Sequence, residues 1–131
     1  MSLRPGFSII IPTFNRAFCI CEAVDSVLMQ NYPDFELIVV DDGSSDGTDM
    51  LLKERYGAEM ACGRLKYLQS GHEGVSAARN KGLRAATREW AGYLDTDNRM
   101  CADYFAVFEN AVRTGGAKCY YAQIKHLNNR R

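Results

Sequence analysis

A chain of 131 residues has room for one domain, because single cores typically serve ~100–150 residues. Hydrophobic residues make up 47% and charged residues 24%, the balance of a soluble globular protein rather than a disordered one. Lys+Arg is 16 and Asp+Glu is 16, so the formal net charge is zero; bulk charge speaks against a nucleic-acid partner. No apolar run approaches the ~18 residues that span a bilayer, so no transmembrane segment is expected in this chain. The opening Met1-Ser2-Leu3-Arg4-Pro5-Gly6 lacks the apolar core of a secretory signal and reads as a leader or disordered stretch. Five cysteines (Cys19, Cys21, Cys62, Cys101, Cys119) are scattered, with no C-x-x-C pair, and the two histidines lie far apart. That pattern argues against structural zinc. It fits reduced thiols in a cytoplasmic protein, reaching at most the inner face of the membrane.

In chain order, Phe7-Ser8-Ile9-Ile10-Ile11 is a strand stopped by Pro12. Ala17 to Gln30 places Ile20, Val24, Val27 and Leu28 on one helical face. Phe35 to Val40 is nearly all apolar, as suits a strand covered on both faces. Asp41-Asp42-Gly43-Ser44-Ser45 follows as a polar turn, and Ser45 or Asp46 can cap a helix from Gly47 to Tyr56. Leu65 to Gln69 is a shorter strand. Val75 to Thr87 is a helix whose small residues (Ala77, Ala78, Gly82, Ala85, Ala86) permit close approach to a sheet. Trp90 to Leu94 is a fourth strand, Ala102 to Thr114 a fourth helix, and Ala117 to Gln123 a last strand candidate. The order βαβαβαβαβ predicts an α/β fold, a Rossmann-like three-layer sandwich with a mostly parallel sheet. Its domain is expected over 7–125, with 126–131 as a tail.

Ligands of open parallel sheets bind beyond the carboxyl ends of the strands. Thr13-Phe14-Asn15-Arg16, Asp41-Asp42 and Asp95-Thr96-Asp97 all fall there. Neither a G-x-G-x-x-G after the first strand nor a G-x-x-x-x-G-K-[ST] is present, so a dinucleotide enzyme and a P-loop nucleotidase are poor readings. Asp95 and Asp97 are two apart, and in an extended segment both project to one side. Hard oxygen ligands of this kind suit Mg²⁺ or Mn²⁺ bridging to a phosphate. Two solvated carboxylates in a turn is the alternative at this point. Arg79 offers a fork for a carboxylate or a base edge, with a plain surface arginine as the other reading.

Longer blocks carry more. Ser8-Ile9-Ile10-Ile11-Pro12-Thr13-Phe14-Asn15-Arg16 resembles the opening of the family 2 glycosyltransferases. Asp34 to Thr48 resembles their second block, Gly74-Val75-Ser76-Ala77-Ala78-Arg79-Asn80-Lys81-Gly82 their third, and Tyr93-Leu94-Asp95-Thr96-Asp97 their D-x-D block. The resemblance covers residues 7 to 115. It implies a GT-A fold, a nucleotide-sugar donor (a UDP-sugar above all), a divalent metal (Mn or Mg), and transfer to an acceptor hydroxyl with inversion. The acceptor is left open between polysaccharide, lipid and protein. By resemblance Pro12, Thr13 and Asn15 line the nucleotide pocket. Asp42 faces the base with Asp41 beside it, and Arg79 helps hold the base or the neighbouring acid. Asp95 approaches the ribose or sugar, and Asp97, with Asp95, serves the metal.

Two departures stand out. Asn98 follows the D-x-D where an acid is common in the family. Beyond Asp97 only Asp103 and Glu109 are acidic, and neither is recognisable as the general base an inverting transferase needs; N-capping suits Asp103. The catalytic base is therefore not found, and the domain is expected to be incomplete on its C-terminal side. The competing expectation is a non-catalytic nucleotide-binding or interaction module of the same fold, with self-association through surface that an acceptor half would cover. A phospho-acceptor signalling domain fits poorly, because its acid pair normally follows the first strand.

Overall fold

The computed structural model describes residues 4–121. Four strands, β1 (Phe7–Thr13), β2 (Phe35–Asp41), β3 (Leu65–Gln69) and β4 (Trp90–Tyr93), form one parallel sheet in the order β3-β2-β1-β4. The helices are α1 (Ile20–Leu28), α2 (Thr48–Arg55), α3 (Gly57–Ala61), α4 (Val75–Ala85) and α5 (Tyr104–Thr114). Every residue of β1 and β2 is buried, as expected of central strands covered on both faces.

The two-residue period of the strands divides the core. Phe7, Ile9, Ile11, Phe35, Leu37 and Val39 face one side and pack with Ile20, Val24 and Val27 of α1, Leu52 of α2 and Phe105 of α5. Ile10, Ile38 and Val40 face the other side and meet Ala78 of α4. The result is the three-layer α/β arrangement predicted. The small residues of α4 serve as expected: a Cβ on Gly82 would stand 2.5 Å from Ile10 Cγ2 and 3.2 Å from Val40 Cγ2.

Several expectations need correction. β1 does not stop at Pro12 but runs through it to Thr13. Its partner β4 reaches only to the level of Ile10, so the missing N–H of Pro12 breaks no ladder on that side. α3 is an extra helix after Tyr56, whose φ of −121° and ψ of 25° interrupt α2. Of the opening stretch, residues 4–6 are packed on the fold: Pro5 and Gly6 are buried, the Tyr32 hydroxyl donates to the Pro5 carbonyl at 2.5 Å, and Arg4 pairs with Glu109 at 2.6 Å. The described part of the last strand candidate, 117–121, is not a strand; its remaining residues lie outside the described ones. Gly115 and Gly116 leave α5 without a continuing direction, and Tyr120 instead packs on Trp90 at 5.6 Å. Asp103 holds the N-cap position of α5 without a side-chain cap bond. Gly47, not Ser45 or Asp46, holds the N-cap position of α2, and Asp46 just before it accepts from the Thr48 N–H at 3.2 Å. Among the described residues no helix is long and apolar enough to cross a membrane.

At the opposite end of the sheet from the strand carboxyl termini, Glu36 is a buried charge. Its carboxylate accepts from Ser8 Oγ (2.9 Å), Lys66 Nζ (3.0 Å), the Thr87 N–H (2.7 Å) and Thr87 Oγ1 (2.8 Å). Arg88 adds an ion pair at 3.7 Å. Burial pushes this carboxyl upward, but those donors outweigh it and hold its pKa at about 2. One side chain thereby ties β1, β2, β3 and the α4–β4 connection together.

Candidate functional site

The loops that leave β1 and β2 are laced together. Asn15 adopts a left-handed φ of 52°, its N–H donates to Ser44 Oγ, and its side-chain oxygen accepts from the Ser45 N–H, each at 2.8 Å. The Ala17 N–H donates to Asp46 Oδ2 at 2.9 Å. At the root of these loops the Asp42 N–H donates to the Thr13 carbonyl. Asn15 is thus a loop clamp through its backbone N–H and its side-chain oxygen.

Asp41 and Asp42 are neighbours in sequence and point apart, as consecutive residues leaving a strand must. Asp41 turns away from the cleft described below and is 1% exposed. It accepts from the Ser44 N–H at 2.9 Å and from the Tyr67 hydroxyl at 2.5 Å. Burial first, then that bond to Asp41, raises the pKa of the Tyr67 phenol. The Asp41 carboxylate is thus part of the turn, and Asp41 is not among the residues that line the cleft.

Asp42 turns the other way. It accepts from Ser70 Oγ (2.8 Å), the Glu73 N–H (2.8 Å) and the Gly74 N–H (2.9 Å), all from the loop before α4. His72 Nδ1 lies 3.7 Å from its Oδ2. Burial favours the neutral form, yet Ser70, the two N–H groups and His72 outweigh it and hold the Asp42 carboxyl below its usual range. The site therefore keeps a fixed, ionised acceptor at the end of β2.

Above the carboxyl ends of β1, β2 and β4 lies an open cleft of about 360 Å³. Pro12, Thr13, Phe14, Arg16, Asp42, Val75, Ala78, Asp95, Thr96 and Asp97 line it. Of the residues singled out in the sequence, Pro12, Thr13, Asp42, Asp95 and Asp97 are brought together here. Arg79 stands behind them, donating to Asp95 Oδ1 at 3.3 Å. Asn15 and Asp41 are not in the lining. The sequence places Phe14, Arg16 and Thr96 at the strand ends without giving them a role, and Ala78 only against the sheet; in the structure they line the cleft with Val75, and Arg16 is the cation of that lining.

Among the described residues three buried side-chain polar atoms have no hydrogen-bond partner: Thr13 Oγ1, on the cleft lining, and Arg79 Nε and Trp90 Nε1, whose residues are not part of it. Buried polar groups are normally paired, so Thr13 Oγ1 is a polar atom on the cleft lining with bonding capacity left for a ligand. The exposed carboxylates of Asp95 and Asp97 offer hard oxygens of the kind Mg²⁺ and Mn²⁺ prefer. Among the described residues no three His, Cys, Asp or Glu side chains cluster closely enough to hold a metal ion by themselves. The donor set suits a cation that completes its shell with phosphate oxygens and water, so the residues present fit a metal shared with a ligand.

Comparison with known proteins follows the same line. The family model described as Glycosyl transferase family 2 matches residues 8–129. An uncharacterized glycosyltransferase of Rickettsia felis is 35% identical over 100 residues, covering 73% of this chain and 15% of that protein. The structure of S. aureus TarS 1-349 in complex with UDP-GlcNAc superposes with a TM-score of 0.70 at 30% identity, covering 82% of this chain and 30% of that one. The mannosyltransferase PcManGT of Pyrobaculum calidifontis, solved with GDP-Man and Mn²⁺, gives a TM-score of 0.72 at 32% identity, covering 86% and 32%. The chain thus spans a third or less of the length of these relatives.

Proposed function

The chain belongs to glycosyl transferase family 2 and has its GT-A fold, and from that premise we propose that it forms the donor-binding part of an inverting, metal-dependent glycosyltransferase. The observation that carries the proposal is the convergence of Thr13, Asp42, Asp95 and Asp97 on one cleft at the strand ends.

The nucleoside diphosphate of the donor lies along this cleft. Its base meets Pro12, Thr13 and the fixed carboxylate of Asp42, which accepts a base N–H. The Thr13 hydroxyl finds there the partner it lacks in the protein. Asp95, oriented by Arg79, takes the ribose or sugar hydroxyls, and Asp97, with Asp95, would hold Mn²⁺ or Mg²⁺. When bound, that cation offsets the charge of the departing nucleoside diphosphate. Arg16, on the lining, adds a second positive charge. The donor chemistry is supported by the relatives solved with UDP-GlcNAc and with GDP-Man and Mn²⁺; a UDP-sugar is the first choice, in a cytoplasmic setting where such donors are made.

Transfer with inversion needs a base on the acceptor hydroxyl. Neither acid beyond Asp97 lines the cleft: Asp103 is the N-cap residue of α5, and Glu109 is held by Arg4. The second reading is a nucleotide-binding or interaction module of the same fold that does not transfer sugar. Sugar transfer by the chain itself would exclude it.

Calorimetric titration of UDP and GDP tests the donor reading. We expect binding in the presence of Mn²⁺ that weakens at least tenfold when a chelator removes the cation, the two carboxylates then facing a diphosphate directly. Equal affinity with and without the cation would contradict metal dependence.

A further inference from the structure

His72 belongs to none of the blocks that mark the family, yet its placement is specific. It sits in a left-handed conformation, φ 59°, which histidine adopts more readily than most residues. Gly43 lies beneath it, so close that a Cβ there would be 3.4 Å from the His72 nitrogen and 3.5 Å from its Cβ. The imidazole packs on Phe14 with ring centroids 4.3 Å apart and planes 32° from parallel. Phe14 comes from the β1–α1 loop and His72 from the β3–α4 loop, so the pair joins two loops beside the cleft that Phe14 lines.

His72 Nδ1 is 3.7 Å from Asp42 Oδ2, too far for a hydrogen bond, and no other protein group bonds it among the described residues. Asp42 already accepts three hydrogen bonds from the loop below, and a carboxylate has room for about four. The Nδ1 of His72 and a remaining acceptor site on Asp42 therefore stand side by side; Asp42 and Phe14 belong to the cleft lining, though His72 itself is not part of it.

Resting on the donor reading above, we propose that His72 is a specificity-determining residue that reads the base together with Asp42. Asp42 accepts a ring N–H, and His72, with its proton on Nδ1, donates to the adjacent ring carbonyl, while Phe14 and the imidazole form the wall beside the ring. Uracil and guanine both present an N–H next to a C=O. Cytosine presents a bare ring nitrogen next to an amine, which places acceptor against Asp42 and donor against His72. The pair thus admits the first two bases and rejects the third.

The test is titration of UDP, GDP and CDP, each with Mn²⁺, into the wild type, His72→Gly and Phe14→Leu. Glycine suits the left-handed backbone at position 72, so the loop keeps its path. The wild type is expected to prefer UDP or GDP over CDP by at least tenfold. His72→Gly should lose about tenfold for the preferred base and bring its preference over CDP near unity. Phe14→Leu should weaken all three alike and leave the preference intact. A preference unchanged in His72→Gly, with nucleotide still bound, overturns the role of His72 and leaves the donor reading standing. Failure of the wild type to bind any of the three overturns both.

Discussion

Asp42→Ala is expected to lose nucleotide affinity by roughly a hundredfold and stability by about 2 kcal/mol. Both losses come from one carboxylate. It holds Ser70, Glu73 and Gly74 in the loop before α4, and it presents an acceptor to the cleft. Removing it leaves two backbone N–H groups and a hydroxyl without their acceptor, and the exposed loop turns partly to water instead. Ser70→Ala is the control: it removes one donor only and should cost about 1 kcal/mol, with most of the affinity kept. Urea denaturation and calorimetry on the same samples separate the two effects. An Asp42→Ala variant as stable as the wild type would show that the loop is held by something else.

The second large effect lies at the other end of the sheet. Glu36→Gln is expected to destabilise the fold by roughly 3 kcal/mol at neutral pH, because Lys66 and Arg88 lose a buried anion and Thr87 and Ser8 lose part of their acceptor. The same residue predicts a pH dependence. Its pKa is about 2 in the folded chain against 4.5 ordinarily. The stabilisation is fully present above the unfolded value and is lost as pH falls from about 4.5 towards 2, amounting to on the order of 3 kcal/mol. Denaturation midpoints measured between pH 2 and 7 should fall steeply for the wild type in that window and less steeply for Glu36→Gln. Parallel profiles would remove Glu36 from the account.

How far these features can be read in the sequence depends on their range. The apolar run Phe35–Val40 and the alternation of strand with helix declare a parallel sheet, because period and burial are local signals. That rule also places Thr13, Asp42, Asp95 and Asp97 at one edge before any coordinate is known. It does not tell Asp41 from Asp42. In an Asp-Asp pair one side chain must face each way, and the choice is set by Tyr67, 26 positions on. Glu36 hides inside an apolar run, and its partners lie as far along the chain as Thr87 and Arg88. His72 reads as a loop residue, since only the packing of two loops brings it over Phe14. Pro12 looks like a strand end until the short reach of β4 is seen.

The measurement that bears most directly on the central claim is titration of UDP, GDP and dTDP with Mn²⁺ into the wild type and Asp97→Ala. Asp97 contributes an exposed carboxylate on the cleft, so its removal should leave the fold unchanged by thermal melting. The account predicts binding of at least one nucleotide by the wild type and a loss of ten- to a hundredfold, on the order of 1.5–3 kcal/mol, in Asp97→Ala. Equal binding by both proteins, or none by either, would contradict it.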